Sequence, residues 1–491
     1  ANADIERGVD LNLLAQEREL QKRLQQNEKR RVELYGAPDG PTIEQAEAIE
    51  RERKQLLAQS QEIKDRIRAA SPRYAALQYP EPLNLEAIQQ QILDGETMLL
   101  QYSLGKERSY LWAITQDELQ SYALPNRAAI EAAAKSLLKQ IDRRDPTSIQ
   151  QAADELARIL LEPVMERLQQ NGKIARLAIV GDEVLQYVPF AALPQPGQGQ
   201  PEQPDDLLVS RYEIVSLPSS STLATLREFD TPTPAPKALA IFADPVFDTT
   251  DERVRPAPQA ANANSPATPQ DLRSRRAQVD LDRVAQNQER YGRDVRGWSR
   301  LPGTRKEAEA ITQLVNAGDR LQKYGFDVNY QTVTAPEVLG QYRLIHFATH
   351  GILDSADPKL SGLVLSLVDD RGRPQNGYLR LHEIYNLKLS ADLVVLSACQ
   401  TGLGKNIRGE GVVGMTRGFM YAGAPRVLVS LWSVDDAATA ALMTEFYQNL
   451  LQNNLPPAAA LQAAQASLRQ DPRWSSPFYW AAFTLQGEWR W

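Results

Sequence analysis

Cysteine is almost missing from this chain: of 491 residues, Cys399 alone carries a thiol. One thiol closes no internal disulfide, so nothing points to an oxidising compartment. No apolar run approaches the roughly 20 residues that span a bilayer, and the cytoplasm is the expected location. An excess of basic charge is lacking too. Fifty-five Lys and Arg stand against 62 Asp and Glu, a net charge of -7, whereas a general nucleic-acid binder needs a concentrated basic face. Histidines number three. With one cysteine and three scattered histidines there is no recognisable zinc spacing, and neither metal nor cofactor is expected. The chain starts at Ala1 rather than Met, which leaves a lost signal peptide or upstream domain open.

What is present divides into four regions. Residues 1–75 are polar, with two helix-length stretches on either side of "YGAPDGPT" (35–42), whose Gly and Pro residues mark a turn. Leu13, Leu20 and Leu24 form one stripe and Ile49, Leu56, Ile63 and Ile67 another. Spacings of four and seven put each set on one helix face, so an antiparallel helical hairpin is predicted. It serves either as a stabilising arm or as a coiled coil that binds a regulatory partner. Residues 76–247 change period. "TMLLQYSL" (97–104), "SYLWAIT" (109–115) and "LQSYALP" (119–125) read as a three-stranded meander, followed by two helices and by strands at 176–180, 211–218 and 237–243. This is an α/β half with its own core. Residues 248–298 hold almost no large apolar side chains, too few to offset the entropy of ordering, and read as a flexible linker.

Residues 299–491 alternate strands and helices. A helix over 301–315 is capped by Thr304. Strands are predicted at 325–331, 342–348, 362–368, 392–398 and 426–432, and several are continuous apolar runs, the pattern of strands covered on both faces in a mostly parallel sheet. Helices fit at 409–422 and 436–451. The fold class is a doubly wound α/β domain.

That architecture bears on two residues. Ligands of open α/β sheets bind outside the carboxyl ends of the strands. His350 follows the strand in "LIHFATHG" (344–351), and Cys399 follows the strand in "LVVLSACQTG" (393–402). If those strands are parallel, both emerge at one edge. Gly351 follows the histidine, and Gly402 and Gly404 follow the cysteine. Glycine lets backbone amides approach a substrate, where they could stabilise an oxyanion. A neutral imidazole nearby can activate a thiol. Against this stands the ordinary reading of a lone cysteine at a strand end as a small core hydrophobe. His346 shares a strand face with Leu344 and Ala348 and reads as a buried, hydrogen-bonded structural residue, and His382 as solvent-facing.

Together, "LPGTRKEAEAI", "YRLIHFATHGILD", "LVVLSACQTGLG" and "GEGVVGMTRGFMYAGAPRVLVSLWSVDDAAT", in this order, resemble the CHAT family of caspase-like cysteine peptidases. The likeness extends upstream through "LAIVGDEVLQYVPFAAL" and "RYEIVSLPSSS", so it covers about 160–490. It implies a fold like that of caspases, separases and gingipains. It also implies a His350–Cys399 dyad that cuts peptide bonds of a protein or peptide substrate without metal or cofactor. By the same likeness residues 76–247 would be an inactive caspase-like half. Family members often carry tetratricopeptide-type repeats upstream, and no such repeat occurs here.

Asp435 and Asp436 lie between the strand "RVLVSLW" and a helix, again at the carboxyl edge. Either aspartate can cap that helix. The resemblance to separases over this stretch implies a carboxylate that pairs with a basic P1 side chain; Asp436 is the expected one, helped by Asp435, and both readings can hold, one per aspartate. Glu410, in "RGEGVVG", is a second candidate for the substrate pocket, or another cap. Two other functions compete: a catalytically silent scaffold, and a thiol acyltransferase or ligase whose acyl-enzyme is intercepted by an amine.

Overall fold

The computed structural model describes residues 42–70, 82–170, 172–196, 206–229, 234–255, 298–335, 338–352, 361–397, 399–400 and 411–491, with single helical positions between 13 and 30. They fall into two units, 1–82 and 83–491.

In the first unit helix α1 (Ile43–Ala70) starts at a reciprocal cap: Gln45 N donates to Thr42 Oγ1, and Thr42 N donates to Gln45 Oε1. Leu13 and Leu20 form a small core with Leu56, Ile63 and Ile67. Asn27 Nδ2 donates to Ile49 O and to Glu52 Oε2. Later residues of the first stretch thus meet earlier residues of the second, as in an antiparallel hairpin. Leu24 lies outside the described residues.

The second unit is built on fifteen strands among the described residues. They are β1 (Thr97–Ser103), β2 (Ser109–Ile114), β3 (Leu119–Leu124), β4 (Arg176–Val180), β5 (Glu213–Ser216), β6 (Lys237–Ala243), β7 (Arg320–Tyr324), β8 (Tyr342–Ala348), β9 (His350–Ile352), β10 (Gly362–Val364), β11 (Tyr378–Arg380), β12 (Leu393–Leu396), β13 (Cys399–Gln400), β14 (Arg426–Ser430) and β15 (Phe483–Gly487). Eleven join one sheet in the order β3-β2-β1-β4-β5-β15-β14-β12-β8-β6-β7, and the short β11-β10-β9-β13 form a second sheet. In the large sheet β7, β6, β8, β12 and β14 are mutually parallel. Their residues explain this. Nearly every side chain of β6, β8, β12 and β14 is buried, as apolar runs covered on both faces require. The meander β1-β2-β3 is antiparallel and forms one edge, and β3, exposed at most positions, closes it.

The boundary drawn at 247 in the sequence does not separate two sheets. β6 sits between β8 and β7, and β15 pairs in parallel with β5 and antiparallel with β14, so the sheet is continuous across the chain. Two strand expectations need correcting. Residues 325–331 form a short 3-10 turn and the start of a helix, not a strand. The strand that pairs with β6 is β7, just upstream, whose five residues are all only half-buried because it lies at the sheet edge. The strand predicted at 362–368 is only Gly362–Val364 and runs antiparallel in the small sheet. The linker expected at 248–298 falls largely on 256–297, outside the described residues; at its described ends Arg253 reaches Asp244 and Trp298 lies against His350.

Helix α2 (Pro302–Gln313) follows one of those ends. The cap predicted at Thr304 lies at Leu301, and the Thr304 hydroxyl donates back to Leu301 O. Glu307 of α2 and Tyr447 of α3 (Asp436–Leu451) both reach His346 on β8. The His346 Nδ1–Tyr447 Oη distance is 3.1 Å, and Nε2 lies 2.9 Å from Glu307 Oε1, too poorly aligned for a hydrogen bond. All three side chains are buried. This polar cluster ties two helices to the central sheet. Tyr447→Phe keeps the ring and strands the imidazole nitrogen. It is expected to lower unfolding free energy by about 1–3 kcal/mol in urea titration, with the far-ultraviolet spectrum unchanged.

Candidate active site

The carboxyl ends of β6, β8, β12 and β14 face one edge, and the residues after each are Asp244, Thr349–His350, Ser397–Cys399 and Leu431–Asp436. After β8 the chain passes directly into β9, where the Thr349 hydroxyl donates to Val364 O. After β12 it enters β13. β13 pairs with β9 in parallel, with Cys399 opposite His350 and Gln400 opposite Gly351. Adjacent strands lie about 4.8 Å apart. The two residues are therefore backbone neighbours, while the Cys399 side chain lies outside the description.

His350 is 7% exposed. Its ring packs against Phe247, with centroids 4.9 Å apart, and against Trp298 at 5.1 Å. Nε2 lies 2.8 Å from Ser299 O. A carbonyl only accepts, so Nε2 carries the hydrogen and the lone pair of the neutral ring sits on Nδ1. Nδ1 is buried and without a partner among the described residues. Burial pulls the His350 pKa below its ordinary value, and the Ser299 carbonyl offsets this in part. The arrangement is a neutral base with one nitrogen held and the other without a partner among the described residues.

The residues that hold it lie at and just beyond the two ends of the segment read as a linker. Asp244, 2% exposed and with φ +52°, follows β6. Its carboxylate accepts from Arg300 Nε at 2.9 Å and Nη2 at 3.0 Å, and Arg253 Nη1 lies 2.8 Å away. This carboxylate keeps the Arg300 guanidinium even more firmly charged than usual. Asp244 N donates to Thr304 Oγ1, and Asp244 O accepts from Gly325 N. A cavity of about 250 Å³ lies beside this strap, with Phe247, Asp251, Trp298, Ser299 and Arg300 in its lining.

The aspartates after β14 divide. Asp435 Oδ1 accepts from Ala437 N and Ala438 N, which is a helix cap. Asp436 points elsewhere: its Oδ2 accepts from Gly303 N at 3.3 Å. A Cβ on Gly303 would come within 2.5 Å of Asp436 Cβ, so the approach requires glycine. Half-burial raises the Asp436 pKa, the Gly303 amide lowers it, and the charges of Asp435 and Glu307 add to the rise. No cation pairs with it among the described residues. Glu410, Gly402 and Gly404 lie outside the described residues, as does the His382 side chain, although a short helix Leu381–Ile384 carries that residue. No group of three or more potential metal ligands occurs among the described residues, and none of their helices is long and apolar enough to cross a membrane.

The sequence reading missed Asp244, Phe247, Trp298, Ser299 and Arg300. One signal was available: Asp244 ends the apolar run "ALAIFA", at the same edge as His350 and Cys399.

The family model of the CHAT domain matches residues 150–488. Tetratricopeptide repeat protein 28 of Mus musculus is 29% identical over 225 residues, 39% of this chain and 9% of that protein. Its Homo sapiens counterpart is 30% identical over 224 residues, 39% and 8%. This chain thus spans under a tenth of the length of these relatives. Among solved structures, a Saccharomyces cerevisiae separase–securin complex aligns with TM-score 0.47 and 10% identity, over 85% of this chain and 31% of that one. The Arg-specific cysteine proteinase gingipain R aligns with TM-score 0.37 and 11% identity, over 74% of each chain.

The buried imidazole makes stability depend on pH. Its folded pKa lies below the unfolded value of about 6.5, so the unfolded chain takes up the proton first. Above that value the group contributes no pH dependence. Stability is lost as pH falls through about 6.5 towards the folded pKa. His350→Gln is expected to lose less stability than the parent between about pH 7.5 and 5.5, read as the shift in urea midpoint.

Proposed function

The chain belongs to the CHAT domain family, and on that premise we propose that it is a cysteine endopeptidase in which His350 and Cys399 form the catalytic dyad. The observation that carries this reading is the parallel register of β9 and β13, which sets Cys399 opposite a buried imidazole whose Nδ1 has no partner among the described residues.

In this mechanism Nδ1 takes the thiol proton, and Sγ attacks the scissile carbonyl carbon. The proton then passes to the leaving amine, the C–N bond breaks and a thioester remains. Water attacks the thioester, giving its proton to Nδ1. The acid leaves, and the proton returns to sulfur. The Ser299 carbonyl keeps Nε2 protonated throughout and stabilises the transient imidazolium. Gly351, beside the dyad, lets the substrate backbone approach. The strands β1–β5, continuous with the active half, are in this reading an inactive caspase-like partner that supports the sheet.

Asp436 is the proposed P1 determinant, with a preference for arginine or lysine. Its support is a half-buried carboxylate at the strand edge with no cationic partner among the described residues. Asp435 serves as the cap beside it.

The test is hydrolysis of paired fluorogenic peptides with Arg or Leu at P1. Wild type is expected to prefer Arg and Cys399→Ala to be inactive; equal turnover by the two proteins would leave a scaffold role. Products in which the acyl group is joined to an added amine through a new amide bond, instead of being released as the acid, would indicate acyl transfer. A second expectation concerns Asp436→Asn. Loss of one partner of a desolvated charge pair costs about 2–5 kcal/mol, so kcat/KM for the Arg peptide should fall by about thirtyfold to several thousandfold. The Leu peptide should be little affected. An unchanged Arg preference would assign the pocket to another residue.

A further inference from the structure

The segment 298–304 touches three points of the strand edge in seven residues. Ser299 O holds His350 Nε2, Arg300 forks onto Asp244, Gly303 N meets Asp436, and Thr304 Oγ1 accepts from Asp244 N. Only one of these contacts is a two-pronged ion pair on a buried group, and that group lies on a different strand from either proposed catalytic residue.

We propose that Asp244 is a positioning residue: through Arg300 it clamps the 298–304 strap so that the Ser299 carbonyl fixes His350 in the Nε2–H tautomer. The inference rests on the peptidase reading for its consequence, but its geometry stands apart from it. Three observations favour a dedicated clamp. A 2%-exposed carboxylate must be compensated, and here both a forked guanidinium and Arg253 Nη1 reach it. Its backbone sits at φ +52°, where a side chain other than glycine is uncommon, so the chain accepts strain to aim this group. Arg300 immediately follows the carbonyl that holds the imidazole, which leaves one peptide unit between clamp and base. Of the other charged groups on this segment, exposed Glu252 meets the remaining Arg300 nitrogen, Nη1, at 2.8 Å. Asp248 accepts from Thr250 N, and Asp251 is paired with Arg253.

Without the clamp, the Ser299 carbonyl is no longer held at hydrogen-bond distance. The neutral ring then populates the Nδ1–H form, which has no lone pair towards the thiol. Binding of the peptide is untouched, so the loss falls on kcat rather than KM.

The experiment compares wild type, Asp244→Asn and Arg300→Gln. Asn has the same shape and accepts a positive φ readily, so only the charge is removed. Arg300 is partly exposed and its truncation is tolerated more easily; should Asp244→Asn fail to unfold cooperatively, Arg300→Gln decides alone. Histidine-selective nitrogen-15 spectra, with His350 assigned through His350→Gln, report the tautomer directly. The neutral wild-type ring is expected to be nearly all Nε2–H and each variant a mixture, with kcat lowered about tenfold or more and KM within about twofold. A folded variant that keeps the wild-type tautomer and kcat overturns the proposal. If wild type itself hydrolyses no peptide, the peptidase reading fails while the tautomer comparison still decides this one.

Discussion

The edge of this sheet depends on the carboxylate of Asp244. It lies almost wholly out of water, where an unpaired charge costs several kcal/mol, and two arginines reach it from either side of the segment that leaves at 255 and returns at 298. That pairing anchors Trp298 and Ser299 against His350. Removing either arginine would leave part of the charge uncompensated. The same compensation sets the chemistry of the histidine, because the aromatic walls and the carbonyl arrive together on one short strap. Desolvation by those walls outweighs the hydrogen bond, so the ring is held neutral.

Four parallel strands deliver the remaining groups. Their buried, apolar residues pack the sheet, and the polar residues come one to six positions after each strand ends. Neighbouring residues can therefore have unrelated roles. Asp435 satisfies two amides of its own helix, whereas Asp436, one residue on, is directed at the start of another helix and is left half-buried with no counter-ion among the described residues. His346 and His350, four apart, differ in the same way. The first sits inside β8 between Glu307 and Tyr447 and ties helices to the sheet. The second lies past the end of β8, at the start of β9, with a nitrogen that has no partner among the described residues. Substituting the first should cost stability; substituting the second should cost the proposed activity.

Much of this was legible from residue patterns. Continuous apolar runs mark buried parallel strands because both faces need cover, and a residue just after such a run has to emerge at the carboxyl edge. That places His350, Cys399 and the aspartate pair at one edge of the sheet. The hairpin stripes at four and seven spacing locate the small seam of Leu20, Leu56 and Ile63. Short strands were harder. β7 lacks an apolar run because it is an edge strand, half-buried on both faces, and the pattern pointed instead to the residues after it.

Local periodicity alone marked the buried apolar strands β6, β8, β12 and β14 and the amphipathic helices, and placed the histidine and cysteine just after two of those strands. Tertiary structure decided the rest. The register that sets Cys399 opposite His350 depends on pairing between strands about fifty residues apart. The joining of both halves into one sheet depends on β15 reaching back to β5. The strap from 298 becomes part of the site only because a buried carboxylate 56 residues earlier binds Arg300. An ion pair of that separation leaves no period in a sequence, since its strength comes from the exclusion of water that folding alone brings about.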